Sequence, residues 1–151
     1  MQDKHTLDDW LNWQEALMEE TIVLGLDRVQ IVYDKLFPKG VPYSVITVAG
    51  TNGKGSTVSF IDSIYRQSVY KVGRSTSPHL LKYNERFAID GVDVSDEIII
   101  NAFELIETER NDVTLTYFEF STLAALIIFA EAKVDLAILE VGLGGRLDSV
   151  N

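Results

Sequence analysis

The fold is decided by Val45-Ile-Thr-Val-Ala-Gly-Thr-Asn-Gly-Lys-Gly-Ser-Thr57, where an apolar run leads through a glycine-rich loop into a helical pattern. Residues 45–49 are short, apolar and rich in β-branched side chains, which is typical of a buried strand. Residues 56–67 place apolar side chains on one side of a helix, and residues 72–76 are a plausible second strand. The stretch therefore predicts a βαβ unit, whose crossover should be right-handed.

The flanking sequence extends this unit with further helices and strands. Upstream, residues 7–20 and 27–37 carry apolar side chains at helical spacing, and prolines and glycine then break the chain. Downstream, residues 87–94 predict a hairpin around Asp90-Gly91, which is followed by a helix that Ser95 caps and that ends near Glu109.

The remaining pattern completes an α/β alternation. Thr116 and Glu119 have the spacing of a capping box before an apolar helix that ends near Ala132. Residues 134–141 predict another strand. Strands that alternate with helices indicate an α/β fold with a mostly parallel sheet, here preceded by two N-terminal helices.

Composition restricts the function. The 151 residues suit one globular domain, and 46% of them are hydrophobic, which allows a packed core. A net charge of −10 argues against a nucleic-acid partner, and the absence of cysteine excludes disulfides and thiolate metal sites. The longest apolar run, residues 123–130, is far shorter than the ~20 residues that cross a bilayer. With no signal-peptide pattern, these features predict a cytoplasmic protein without a membrane partner.

The glycine loop that follows the first predicted strand has the chemistry of a phosphate site. Its glycines let backbone N–H groups converge on phosphate oxygens, and the following helix adds the positive end of its dipole. Lys54 is placed to neutralise phosphate charge, and Ser56 or Thr57 to reach Mg²⁺. The spacing departs from the standard phosphate loop, so a glycine-rich turn is the alternative. The candidate nucleotide-binding residues are Gly50, Thr51, Asn52, Gly53, Lys54, Gly55, Ser56 and Thr57.

A second glycine cluster, Gly142, Gly144 and Gly145, follows the strand predicted at 134–141. It is not a dinucleotide fingerprint, because Leu147 stands where that motif requires its last glycine. Ligands in open α/β sheets bind beyond the carboxyl ends of the strands. The two glycine loops are therefore expected to line one crevice.

Several motifs together resemble one protein family. Gly50-Thr-Asn-Gly-Lys-Gly-Ser56, Thr76-Ser-Pro-His79, Asn84-Glu-Arg86, Phe118-Glu-Phe120 and the run from Leu139 to Asp148 are similar to signatures of the folylpolyglutamate synthase and dihydrofolate synthase family, and occur in its order. Gly25-Leu-Asp-Arg28 and Thr114-Leu-Thr-Tyr-Phe-Glu119 resemble its bacterial bifunctional branch. The family belongs to the Mur-ligase-like group of ATP-dependent amide ligases.

The resemblance implies a reaction and its cofactors. ATP would phosphorylate a carboxylate of dihydropteroate or of a folate, and the amino group of L-glutamate would attack the acyl phosphate to form an amide. Phosphorylation is needed because a carboxylate is a poor acyl donor. Mg²⁺ and Lys54, the expected catalytic residue, would stabilise the charge that builds up.

The resemblance also implies metal and substrate residues, each with a structural alternative. Ser77 and Glu140 would hold Mg²⁺, although Ser77 also suits a turn before Pro78, and Glu140 a solvent-facing strand end. Glu119 is equally explained by the capping box, and Phe118 by the core. The substrate residues that the resemblance implies are Gly25, Leu26, Asp27, Arg28, Tyr117, Phe118, Glu119 and Arg146.

The resemblance finally implies that the chain is one part of a larger enzyme. Residues 1–151 would form the N-terminal part of the ATP-binding domain, with a helical lead-in at 1–38 and a phosphate-loop core at 44–151. The isolated fragment is therefore expected to be inactive. A nucleotide-binding module or a phosphate-loop kinase without ligase chemistry is the alternative; Ser77 and Glu140 beside the variant loop favour the ligase.

Overall fold

The computed structural model describes residues 5–18, 26–142 and 148–150, which form five helices, five strands and one 3-10 turn. The predicted elements all appear, with ends that shift by one or two residues; positions 19 and 20 of the first predicted helix lie outside the described residues. In chain order the elements are α1 (Leu7–Met18), α2 (Asp27–Leu36), β1 (Ser44–Val48), α3 (Lys54–Gln67), β2 (Val72–Ser75), the 3-10 turn (Tyr83–Arg86), β3 (Phe87–Ile89), β4 (Val92–Asp93), α4 (Asp96–Arg110), α5 (Tyr117–Glu131) and β5 (Leu136–Glu140).

The strands form one sheet in the order β1-β5-β2-β3-β4. β5 pairs in parallel with both β1 and β2, while β3 and β4 add an antiparallel hairpin. Asp90 and Gly91 in the hairpin turn have φ of 50° and 80°, the positive values that a tight two-residue turn needs. The predicted α/β fold is confirmed, with the three longer strands parallel and the predicted hairpin at one side.

The βαβ unit differs from the prediction in two respects, which are the pairing of its strands and the burial of β1. β1 and β2 are parallel, but they do not pair with each other, because β5 lies between them. All five residues of β5 are buried, whereas β1 buries only Val48 and leaves most of its other side chains exposed. A strand that is apolar on both faces gains most from a central position, and the more polar β1 therefore forms an edge.

Helices cover both faces of the sheet. On one face, Val58 of α3 packs with Val48, Val72 and Ile138. On the other face lies α5, and α1, α2 and α4 pack around it in the main core. Residues 119–129 of α5 are all buried, because the sheet and three helices enclose them. This burial explains why α5 is apolar on every side, whereas a surface helix shows one apolar stripe.

The contact between α5 and the sheet requires a glycine. A Cβ built on Gly73 of β2 would lie 2.6 Å from a ring carbon of Phe129. Any larger residue would push α5 away from the sheet. The lack of a side chain at Gly73 thus sets how closely the two layers approach.

Capping residues fix where the last two helices begin. The Thr116 hydroxyl accepts a hydrogen bond from Glu119 N, and the Glu119 carboxylate accepts one from Thr116 N, which confirms the predicted capping box. Ser95 caps α4 by accepting from Ile98 N, also as predicted. None of the helices in the described ranges is both long enough and apolar enough to cross a membrane.

Candidate functional site

The loop between β1 and α3 has the backbone geometry of a candidate anion site. Gly53 has a φ of 75°, the left-handed conformation that favours glycine, and it caps α3. The helix therefore begins at Lys54, two residues before the predicted start. Its first N–H groups have no acceptor within the helix, and its first turn contains no acidic residue. The positive end of α3 is thus available to an anion.

The side chains of this loop support the same interpretation. Lys54 Nζ donates to the Gly50 carbonyl at 2.9 Å, which keeps the ammonium group beside the loop backbone. The Thr57 hydroxyl donates to the Gly53 carbonyl at 3.0 Å, while Ser56 is exposed at the first helical turn. A Cβ built on Gly55 would meet no atom within 4 Å, so the space over this residue is open. Apart from the half-buried Lys54, the nucleotide-binding candidates at 50–57 are therefore exposed on one continuous loop and helix start.

The two predicted metal residues lie together at neighbouring strand ends. Ser77 follows β2, and its backbone N–H donates to Glu140 Oε2 at 3.1 Å. Glu140 is the last residue of β5, and it lies in register with Val48 of β1. Val48 precedes Gly50 of the glycine loop by two residues. The side chain does not face solvent, because Glu140 is only 8% exposed. The solvent-facing alternative for Glu140 is therefore wrong.

The surroundings of Glu140 fit a divalent cation. A buried carboxylate is costly without a positive partner, and in the described part of the chain no basic side chain pairs with Glu140. The crevice that Glu140 lines with Thr76 and Ser77 measures about 10 Å³, the size of one water molecule or ion. Across residues 5–18, 26–142 and 148–150, no cluster of three His, Cys, Asp or Glu residues supplies a complete protein cage. Mg²⁺ accepts such a sparse site, because it retains waters and binds phosphates.

Two predicted substrate residues form an ion pair. Arg28 of α2 lies 3.5 Å from Glu119, measured from Nη2 to Oε1, and the side chains are 23% and 7% exposed. The other oxygen of Glu119 accepts from Thr116 N at 2.7 Å. Both carboxylate oxygens of Glu119 therefore bind the protein itself. This geometry makes Glu119 a structural residue that also orients Arg28.

Aromatic residues connect the start of α5 to the crevice that Ser77 and Glu140 line. Phe118 packs directly over Gly142, where a Cβ would lie 2.5 Å from the ring. The ring of Tyr117 meets the buried ring of Tyr83 edge to face, with centroids 5.8 Å apart. Burial raises the pKa of the Tyr117 hydroxyl above its ordinary value, although the Arg86 cation acts in the opposite direction. An aromatic wall thus adjoins the pair formed by Ser77 and Glu140.

The remaining predicted substrate residues are less closely grouped. Leu26 is half-buried and lines an apolar cavity of about 330 Å³ between α2, α5 and β1. Asp27 is exposed at the start of α2. Gly25 and Arg146 lie outside the described residues.

The sequence interpretation gave Arg86 no role, although the structure places it in the crevice. The Arg86 carbonyl accepts a hydrogen bond from Thr76 N at 3.0 Å, which holds it beside the loop that contains Ser77. The signal available in the sequence was the stretch Asn84-Glu-Arg86, which is similar to a family signature. That signal alone does not identify a ligand.

Known proteins are similar to this chain in both sequence and fold. No protein-family model matches the chain. The chain is 48% identical to the dihydrofolate synthase/folylpolyglutamate synthase of Escherichia coli and 49% identical to that of Haemophilus influenzae, over 96% of this chain in both cases and over 34% and 33% of those relatives.

Solved structures give the same relationship. The bifunctional folylpolyglutamate synthase/dihydrofolate synthase of Yersinia pestis, complexed with AMPPNP and Mn ion, superposes with a TM-score of 0.91 at 47% identity, over 97% of this chain and 36% of that one. FolC of E. coli in complex with DHPP and ADP superposes with a TM-score of 0.90 at 47% identity, over 96% and 35%. The chain thus spans about a third of the length of these relatives. By sequence and by fold, the chain is similar to about a third of the length of the dihydrofolate synthase/folylpolyglutamate synthases of these bacteria.

Proposed function

We propose that the chain is the nucleotide- and metal-binding part of an ATP-dependent ligase that joins L-glutamate to dihydropteroate, to folates, or to both. The observation that carries the proposal is the hydrogen bond between Ser77 N and Glu140 at the strand ends next to the glycine loop. A kinase or a simple nucleotide-binding module needs the loop, but it does not need this pair. Relatives solved with ADP and DHPP, and with Mn, AMPPNP and L-glutamate, support the same chemistry.

The proposed reaction has two steps. An oxygen of the substrate carboxylate attacks the γ-phosphorus of ATP, the bond to the β-phosphate oxygen breaks, and ADP leaves. The glutamate amine then attacks the acyl carbon, loses a proton, and expels phosphate as the amide forms. Two anions must meet in the first step, so the reaction depends on positive charge at the loop.

The charge comes from the chain and from a bound ion. The N–H groups at the start of α3 and the Lys54 ammonium would bind the phosphates, with Lys54 as the catalytic residue. Mg²⁺, held by the Ser77 hydroxyl and Glu140, would supply additional neutralisation of the phosphates. The Ser77 N–H fixes the Glu140 carboxylate next to that hydroxyl.

Residues at the start of α5 are proposed to bind the pterin substrate. Tyr117 and Phe118 would contact the aromatic part of the pterin substrate, and Arg28 would face one of its anionic groups. Glu119 would act through Arg28, which it holds by the ion pair. Residues 1–151 would then be the N-terminal part of an ATP-binding domain. We place this activity in the cytoplasm, where ATP is supplied.

The test uses the full-length polypeptide that contains this chain. It is incubated with ATP, Mg²⁺, L-glutamate and either dihydropteroate or a folate, and the products are identified by mass spectrometry. We expect a glutamyl product, with ADP and phosphate released only when both co-substrates are present. A stable phosphorylated acceptor formed without glutamate would instead indicate a kinase, and a lack of any turnover would reject the proposal.

A second measurement concerns the 151-residue chain alone. The same assay on the purified chain is expected to give little or no glutamyl product. Clear product formation by the chain alone would show that this third of the relatives' length contains a complete active site.

A further inference from the structure

Arg86 lies between the crevice lined by Ser77 and Glu140 and the aromatic residues at the start of α5. Its backbone carbonyl accepts from Thr76 N at 3.0 Å, next to Ser77, and Arg86 is one of the residues that line the crevice, together with Glu140 and Phe118. The backbone of Arg86 thus lies beside the proposed phosphoryl-transfer site, while its guanidinium lies beside Tyr117 on the proposed substrate side. No other arginine in the described residues lines this crevice.

The orientation of this guanidinium is fixed by three contacts. Arg86 Nε donates to His79 Nδ1 at 2.9 Å, so the imidazole acts as a positioning residue. The guanidinium carbon lies 5.3 Å from the ring centroid of Tyr83 and 5.5 Å from that of Tyr117. Cation–π contacts of this kind hold a guanidinium without occupying its N–H groups.

The terminal nitrogens of Arg86 make no hydrogen bond or ion pair with any residue that the structure describes. Arg28, Arg66 and Arg110, by contrast, each have a carboxylate partner within 4 Å. Arg74 of β2 also has no carboxylate partner among the described residues, but it does not line the crevice. A half-buried guanidinium whose terminal N–H groups are not used by the protein can bind a ligand that has two acceptor oxygens. Carboxylates and phosphates are such ligands, because they accept two parallel hydrogen bonds from one guanidinium. The free end of Arg86 therefore indicates an anionic ligand.

We infer that Arg86 binds the carboxylate of the pterin substrate that is to be phosphorylated. The inference rests on the proposed ligase function and adds a residue that selects the reacting group. The aromatic ring next to that carboxylate would lie along Tyr117 and Phe118. Neutralisation by Arg86 would lower the repulsion between the carboxylate and the incoming nucleotide phosphates.

The experiment compares an acid with its amide on the full-length protein. Pteroate and pteroate carboxamide are titrated, with AMPPNP present, into the unmodified protein, the R86Q variant and the R110Q variant. Arg110 is the matched control, because its guanidinium also lies over an aromatic ring, at 5.4 Å from Trp13, but outside the crevice. Affinity for AMPPNP and the thermal unfolding midpoint of each variant are measured in parallel.

We expect R86Q to weaken pteroate binding about 10- to 100-fold, as the loss of charge-assisted hydrogen bonds does. The affinities of R86Q for the carboxamide and for AMPPNP should stay within about twofold of those of the unmodified protein, and R110Q should bind all three ligands normally.

Equal losses for the acid and the amide would indicate a packing role and overturn the inference, as would unchanged pteroate binding. If the unmodified protein forms glutamyl product while R86Q binds pteroate normally, only the role of Arg86 is rejected. If the unmodified protein neither binds pteroate nor forms product, the ligase function fails and the inference fails with it.

Discussion

Glu140 is deeply buried, and only one of its two carboxylate oxygens has a hydrogen-bond donor in the described ranges, which is Ser77 N. We predict that E140Q raises the Mg²⁺ concentration needed for half-maximal ligase activity by about 10- to 100-fold, because the amide keeps the shape but loses the charge. Magnesium titrations at saturating ATP measure this shift. E131Q is the control, since Glu131 is exposed at the end of α5; an equal shift in both variants would contradict the prediction.

Glu119 has two functions that substitution can separate. Glutamine at N3 still completes a capping box, so E119Q should keep most of the stability while it loses the charge that holds Arg28. T116A should lower the free energy of unfolding by about 1 kcal/mol through loss of the cap. We expect E119Q to raise the KM for the pterin substrate more than T116A does. Denaturant unfolding and steady-state kinetics on both variants check this, and a reversed order would reject the orienting role of Glu119.

At the scale of the elements, two glycines have opposite functions. The Gly73 site is filled by the Phe129 ring, so G73A should lower the free energy of unfolding by about 1–3 kcal/mol, as overpacking does. Gly55 lies in the first turn of α3 with open space around it, so G55A should keep or increase stability. The same G55A change should weaken ATP binding, because the methyl group enters the space expected for phosphate. Calorimetry for stability and nucleotide titration for binding distinguish these outcomes; an unaltered ATP affinity in G55A would argue against the phosphate loop.

At the scale of the whole molecule, burial raises the pKa values of Tyr43, Tyr83 and Tyr117 above the ordinary value of 10.0. The native state then keeps protons that the unfolded chain releases above pH 10. The stability that depends on these groups is fully present below that pH and decreases as the pH rises toward the native values. We expect unfolding midpoints to fall above pH 10, and ultraviolet absorbance to show delayed ionisation of part of the tyrosines. Simultaneous ionisation of all six tyrosines near pH 10, with the protein still folded, would contradict this.

Features that depend on a few neighbouring residues could be predicted from the sequence, whereas features that depend on long-range pairing could not. The glycine loop, the Asp90-Gly91 turn and the Thr116 cap act over a few residues, so the sequence shows them directly. The position of β5 between β1 and β2 depends on pairing between residues about 90 positions apart, such as Val45 and Ala137. The apolar composition of β5 indicates a central strand, but it does not show which strands flank it. The place of Arg86 in the crevice depends on the same kind of tertiary contact, because Arg86, which directly precedes β3, lies beside Thr76 only once β3 has paired with β2.

The edge position of β1 has a consequence for handling the protein. The strand Ser44-Val-Ile-Thr-Val48 contains neither lysine nor proline, the residues that usually protect a sheet edge, and Val45 is 41% exposed. On the side away from β5, no described strand pairs with it. An extended, β-branched edge of this kind attracts other extended backbones, including those of neighbouring copies. Recombinant forms in which this edge strand is unpaired are therefore expected to self-associate as their concentration rises. The V45K substitution would place a charge on the edge and is the simplest way to keep them monodisperse.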